Sequence, residues 1–88
     1  MMQRNQHIRR AEPVTNSDTI DLPGGNAMIY LGTGGDVTVI LADDETDTPV
    51  LLAGLCPGFF HPIFVKRVMA TGTVPTDIVA GYPARLRP

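Results

Sequence analysis

The side chains that could do chemistry in this 88-residue chain are few, and their spacing fits no catalytic site. The single cysteine, Cys56, precedes His61 in one loop, and cysteine nucleophiles are often activated by a histidine. Because Cys56 stands between Leu55 and Pro57, an apolar setting, we predict a buried structural cysteine. We expect His61, beside Pro62, to be a loop histidine and not a ligand. The carboxylates lie mainly in predicted turns, without a second group that would complete an acid/base pair.

Two short segments resemble ligand-binding loops but lack the required patterns. The acidic loop, residues 43–48, contains four carboxylates but has neither the central glycine nor the distal glutamate of an EF-hand. Residues 32–35 lack the lysine-serine ending of a phosphate loop, and a strand is predicted to follow them. Cys56, His7 and His61 do not have the paired spacing of zinc ligands. We therefore expect no metal, no cofactor and no enzymatic activity.

The elements that would position these side chains are strands. Short apolar, β-branched runs alternate with glycine and proline turns, and no segment has helical periodicity. The predicted strands are residues 18–22, 28–31, 37–41, 49–55, 63–70 and 77–82. They predict an all-β fold, a small antiparallel sandwich or barrel of about six short strands. We divide the chain into an extended N-terminal arm (1–17), a β domain (18–82) and a C-terminal tail (83–88).

Residues 28–42 are predicted to form a central β-hairpin. Their two apolar runs flank the connector 32–36, which contains three glycines and suits a hairpin turn. The second run is apolar on both sides, so we expect it to be buried on both faces. A second glycine-threonine connector, 71–76, echoes the first one between the last two strands. The two hairpins predict two sheets packed face to face.

In the strand 63–70, alternation predicts that Val65 and Val68 face opposite sides. The same rule applies to the adjacent Phe59 and Phe60 if their segment is extended. One ring would then fill the core, while the other would be exposed or contact a partner, although both could also be buried beneath the loop.

A chain of this length supports only a modest core, because such a domain buries roughly 60% of the surface of its unfolded chain. A single cysteine excludes an internal disulfide. We therefore expect a homo-oligomer. No run is long enough to span a membrane, and residues 1–12 lack the apolar core of a signal peptide. The protein is expected to be made in the cytoplasm.

Charge is distributed unevenly along the chain, whose net charge is −2. The ends are basic, with arginines at Arg4, Arg9, Arg10, Arg85 and Arg87, while the middle is acidic. Basic ends suit an acidic neighbour, although short polar tails can also be merely solvated. Arginines without interleaved aromatic residues are a weak signal for nucleic acid, which is therefore not an expected partner.

The order of turns and strands resembles that of a known family. It runs from YLGTGGDVTV at 30–39, through Pro57-Gly58 and Pro62, to residues 65–68, the turn ATGT at 70–73, and Ile78 to Tyr82. This pattern is similar to that of the head spike base proteins, short proteins of tailed bacteriophages and gene transfer agents. The resemblance covers residues 18–82 and leaves the arm and the tail outside it.

The resemblance implies a structural protein on the outer capsid surface of a virion. It would form ring-like oligomers, with a trimer or a pentamer favoured, contact the major capsid protein, and either carry a spike fibre or act alone as a decoration or cement protein. We expect Arg4, Arg9 and Arg10 to contact the shell, and Phe59 and Phe60 to help form an oligomer or capsid interface. The alternatives are a tail, neck or baseplate component, and a small module that binds host carbohydrate through exposed loop aromatics.

Overall fold

Six β-strands form two antiparallel sheets in the computed structural model, which describes residues 8–83. The strands are β1 (Ile8–Pro13), β2 (Met28–Tyr30), β3 (Gly35–Leu41), β4 (Val50–Leu55), β5 (Val65–Val68) and β6 (Val79–Pro83). The first sheet has the order β1-β6-β2 and the second has the order β4-β3-β5. The predicted all-β fold class is confirmed. Among residues 8–83 no helix is long and apolar enough to cross a membrane.

The two sheets are joined along one side, where β2 and β5 meet. Ala27 and Val65 exchange two main-chain hydrogen bonds of 3.0 and 2.9 Å, and the amide of His61 donates to the carbonyl of Ile29 at 2.8 Å. The chain from Gly58 to Val65 therefore lies beside β2 before it continues as β5 in the second sheet. A strand that changes sheets in this way forms a corner. The combined order is β1-β6-β2-β5-β3-β4, with β1 and β4 at its ends.

The core lies between the two sheets and is built from aliphatic side chains. The largest fully buried ones are Ile29, Leu31, Ile40, Val37, Val39, Val65 and Val68. On β3, Val37 and Val39 point into the main cluster, whereas Ile40 is buried outside it. The prediction that this strand is buried on both faces is confirmed.

The predicted central hairpin is wrong, because β2 and β3 do not pair. β2 pairs with β6 in the first sheet and β3 pairs with β4 and β5 in the second. Residues 31–34 therefore cross from one sheet to the other. A glycine-rich connector fits a crossing as well as a hairpin turn. β5 and β6 also lie in different sheets, so the second predicted hairpin is wrong for the same reason.

The sequence echo has a structural counterpart, since the two crossing connectors lie side by side. The amide of Gly32 donates to the carbonyl of Asp77 at 3.1 Å, and the amide of Thr76 donates to Thr33 Oγ1 at 3.0 Å. A Cβ at Gly32 would lie 2.6 Å from Asp77 Cβ. The close approach of the connectors therefore requires glycine there.

The first predicted strand, residues 18–22, is not a strand. The Asp18 carboxylate instead accepts hydrogen bonds from the amides of Ala70 and Thr71, both at 2.9 Å, and from Thr71 Oγ1 at 2.6 Å. These bonds hold the segment as a bend. The main chain on either side of this bend is hydrogen-bonded to β5 at two points, where the amides of Ser17 and Leu22 donate to carbonyls of β5.

The first strand lies earlier, within the segment predicted to be an arm. β1 pairs with β6 from Ile8 to Pro13, with Ala11 opposite Gly81, Glu12 opposite Ala80 and a bulge at Arg9. Residues 8–13 thus belong to a sheet of the β domain. Residues 1–7 of the predicted arm and residues 84–88 of the predicted tail lie outside the described residues, and Pro83 ends β6.

A β-bulge in β5 changes which side chains face the core. Arg67 lies opposite Ile40 and Val65 lies opposite Leu41, so Lys66 is an extra residue in the strand. Val65 and Val68 are both buried as a result, although simple alternation predicted opposite faces. Such bulges redirect side chains within a strand.

Candidate interaction surfaces

The aromatic loop, residues 59–61, uses its two phenylalanines differently. Phe60 packs against Tyr30, with ring centroids 5.4 Å apart, and covers Gly81, where an added Cβ would overlap the ring. Phe59 is 48% exposed and its ring centroid lies 4.3 Å from that of His61. The prediction that the two rings point in different directions is confirmed. The expectation that one ring fills the core is wrong, because Phe60 packs against Tyr30 and Gly81 and is not part of the core cluster, while Phe59 is exposed.

His61 is a buried loop residue that anchors the aromatic loop. Its Nε2 donates to the carbonyl oxygen of Cys56 at 2.8 Å, since a carbonyl can only accept. The imidazole therefore contacts the main chain of Cys56. Cys56 itself is exposed, so the prediction of a buried cysteine is wrong. It lies just beyond the end of β4, where the chain leaves the sheet, and its apolar neighbours in sequence do not cover it.

The arginines predicted to contact the shell lie in different environments. Arg10 lies 4.2 Å from the centroid of the Tyr82 ring and pairs with Glu12 at 2.6 Å. Arg9 is exposed and has no ion-pair partner among residues 8–83. Arg4 lies outside the described residues. Of the described arginines on β1, Arg9 is therefore the one whose charge is available to a neighbour.

The structure does not bring the arginines and phenylalanines together. Gly81 and Tyr82 are consecutive in β6 and therefore face opposite sides of the first sheet. Phe60 covers Gly81 on one face, whereas Arg10 covers the Tyr82 ring on the other. The two predicted contact sets thus form two distinct surfaces.

A cavity of about 260 Å³ lies between the end of β1, the segment that follows it, and β6. Apolar side chains of Val14, Leu22 and Ala80 form part of its lining, together with Tyr82. The Tyr82 hydroxyl is buried and has no hydrogen-bond partner among residues 8–83.

The acidic loop is observed between β3 and β4 and is held by its own hydrogen bonds. Asp44 accepts from the Thr46 hydroxyl at 2.7 Å and from the Thr46 amide at 2.9 Å, and these bonds lower the pKa of Asp44. Lys66 forms a hydrogen-bonded ion pair with Asp47. This hydrogen bond raises the pKa of Lys66, and the ammonium group balances the charge of one carboxylate in the loop. Asp43 and Glu45 remain exposed. Within residues 8–83 no three potential ligand side chains are grouped to hold a metal ion.

The edge strand β4 is a surface that sequence reasoning missed. It contains no charged residue, and its Val50 and Leu51 are 36% and 56% exposed. Gly54, with φ of +69°, donates its amide to Asp36 Oδ1 at 2.8 Å and forms a bulge near the end of the strand. The sequence shows an uncharged run at residues 50–55 beside the acidic loop. Whether this run is exposed depends on its place at the edge of the sheet, which strand pairing decides.

Comparison with known proteins gives an informative similarity to a solved structure. No protein-family profile and no curated protein sequence matches the chain. A chain in a solved structure described as "Capsid of native GTA particle computed with C5 symmetry" is 28% identical, with a TM-score of 0.71. The match covers 86% of this chain and 84% of that one. The similarity supports a structural role in a capsid and a location there. The resemblance to proteins of gene transfer agents (GTAs) is therefore confirmed at the level of a capsid protein.

Proposed function

We propose that this protein is a structural component of the outer capsid surface of a tailed phage or GTA-like particle, and that it acts as a head spike base, decoration or cement protein. It would bind the major capsid protein and associate with further copies of itself. The observation that carries this proposal is the 28% identity to a GTA capsid chain over 86% of this chain. The proposal includes no catalytic role. The His61 ring nitrogen Nε2 donates to the main-chain carbonyl oxygen of Cys56, so it is engaged in a structural hydrogen bond.

The geometry suggests which of the predicted residues contact partners. Phe59 is the better candidate for an interface, because Phe60 already packs against Tyr30 and Gly81. Arg9 is a better candidate than Arg10 for contact with the shell, because Arg10 pairs with Glu12. The GTA capsid was computed with C5 symmetry. We therefore propose a pentamer before a trimer, with a spike fibre as a further partner of the head spike base.

The proposal is tested by adding the purified chain to particles that lack it and measuring saturable binding by co-sedimentation. We expect binding to particles with or without tails. Phe59→Ser should weaken binding or oligomer formation, while Phe64→Ser serves as a control at another exposed phenylalanine. Loss of the chain together with the tails would contradict a capsid location and indicate a tail, neck or baseplate component.

Carbohydrate binding is a second candidate, favoured only by the exposed Phe59 ring beside His61. Aromatic faces of this kind can receive the apolar face of a sugar ring. A glycan array that gives no signal with the assembled protein would count against this function. Saturable glycan binding that Phe59→Ser abolishes would support it.

A further inference from the structure

We propose that the free edge of β4 in one copy pairs with the free edge of β1 in a second copy, so that the sheets continue from subunit to subunit around a ring. The inference rests on the proposed self-association and specifies the surfaces that produce it. Its occupant is a second copy of this chain.

The fold covers its other sheet edges with its own chain. The segment from Gly58 to Val65 pairs with the edge of β2, and amides of Ser17 and Leu22 donate to carbonyls on the edge of β5. Within residues 8–83, β4 pairs only with β3 and β1 pairs only with β6. Each of these two terminal strands therefore presents unpaired main-chain groups, which can receive another strand. β1 carries three charged side chains and a bulge at Arg9, so its edge suits only a partner of matching charge.

β4 lacks the devices that normally protect an edge strand. Proteins block such edges with charged side chains, internal prolines or bulges. β4 has no charge or proline within it, and its only bulge is near its end at Gly54. The exposed Leu51 adds apolar surface. A strand of this kind is expected to be covered in the assembled protein.

Charge identifies β1 of a second copy as the partner. The acidic loop lies at the N-terminal end of β4 and exposes Asp43 and Glu45. Arg9 lies at the N-terminal end of β1 and has no ion-pair partner among residues 8–83. These opposite charges meet if the two strands run parallel, with their N-terminal ends together. Pairing β4 with β4 brings no such opposite charges together. Antiparallel pairing of β1 with β1 would set Arg9 opposite Glu12, but that carboxylate already pairs with Arg10 of its own chain.

The contact joins two different surfaces and is therefore heterologous. Heterologous contacts generate closed rings when the rotation between subunits closes, and open filaments when it does not. A ring is the form that the proposed capsid role requires. Repetition around the ring would also bury the apolar edge of β4 in every subunit.

Charge reversal tests the pairing without altering the core. We expect Arg9→Glu, and separately Asp43→Lys with Glu45→Lys, to raise the concentration needed for half-association by about tenfold or more, because like charges then face each other. Combining all three substitutions should restore association. Asn26→Glu is the control, because it adds a negative charge at the joined side of the fold. Light scattering gives the mass of each variant and circular dichroism checks its folding. Folded variants that keep the wild-type mass, or a combined variant that fails to recover it, would overturn the inference.

Disulfide cross-linking tests the direction of the strands. In Ile8→Cys/Val50→Cys/Cys56→Ser, which keeps Arg9 and Leu51, parallel pairing brings the two new thiols at the N-terminal ends of β1 and β4 close together, and mild oxidation should give a reducible ladder of oligomers. Ile8→Cys alone retains Cys56, which lies just beyond the C-terminal end of β4. Cross-linking of that variant would indicate antiparallel strands and would overturn the proposed arrangement.

The same cross-linking on particles separates this inference from the proposed function. A chain that binds particles but forms no ladder there or in concentrated solution would contradict the strand pairing and leave the capsid role intact. A chain that forms the ladder in solution but does not bind particles would contradict the capsid role and leave the pairing intact.

Discussion

The two sides of this fold are completed in different ways. On the joined side, residues 58–65 pair with β2, and Phe60 covers Gly81. On the open side, β1 and β4 end their sheets without a further strand among residues 8–83. The joined side therefore satisfies its main-chain groups within one chain, whereas the open side offers its groups to a neighbour. Stability and association should accordingly respond to different substitutions.

The largest effect on stability is expected on the joined side of the core. Ile29 is fully buried, so Ile29→Ala should lower the free energy of unfolding by about 3 kcal/mol through lost burial and the cavity that remains. The matched control is Ile20→Ala, because Ile20 is 70% exposed and its truncation should change stability by less than about 0.5 kcal/mol. Urea unfolding measures both. Equal effects would contradict the assigned core.

A smaller effect is expected where Phe60 covers the first sheet. Gly81→Ala places a Cβ within the Phe60 ring and should lower the free energy of unfolding by about 1–3 kcal/mol, because the ring must move. The double variant Gly81→Ala/Phe60→Leu removes much of the overlap. Its loss in the free energy of unfolding should be smaller than the sum of the losses of the two single variants, because the effects of substitutions at residues in contact are not additive. Additive effects would indicate that the two residues do not touch.

The bend at Asp18 should make stability depend on pH. Hydrogen bonds from the Thr71 hydroxyl and amide lower the pKa of Asp18 below its ordinary value of 3.8. The folded chain therefore binds fewer protons than the unfolded chain near this pH. The stabilisation is complete above 3.8 and is lost as the pH falls through the lower pKa of the folded state.

Asp18→Asn tests this dependence. The variant should be less stable than the wild type at neutral pH, and the difference should shrink as the pH falls below the ordinary aspartate pKa of 3.8. Thr71→Val should reproduce part of the loss, since it removes the 2.6 Å bond to the hydroxyl. Chemical unfolding across the acid range measures the difference. A gap that stays constant with pH would contradict the role of the charged carboxylate.

The properties that the sequence predicted correctly are local ones. Runs rich in apolar residues and bounded by turns predicted β3, β4 and β5, and the burial of β3 on both faces followed from apolar residues at Val37, Val39 and Ile40. The opposite directions of Phe59 and Phe60 followed from their adjacency in an extended segment. Each of these properties depends on residues that are close together in the chain.

Strand pairing could not be predicted in the same way, because it depends on distant residues. The connector at Gly32 suits a hairpin and a crossing alike, and only its contact with Asp77 distinguishes them. The bend at Asp18 depends on amides of Ala70 and Thr71. The exposure of Leu51 likewise depends on β4 being an edge strand, so the candidate interface at this edge was missed.

The smallest effect on stability is expected on the open side, at Leu51. Leu51→Thr keeps a good strand former and removes exposed apolar surface, so the free energy of unfolding of the dilute chain should change by less than about 0.5 kcal/mol. Association, measured by light scattering, should weaken because the edge of β4 then buries less apolar surface in a neighbour. Val74→Thr, another exposed position, should change neither property. If Leu51→Thr unfolded the dilute chain more easily but left its mass unchanged, β4 would be part of the self-sufficient core, and the contrast between the two sides would fail.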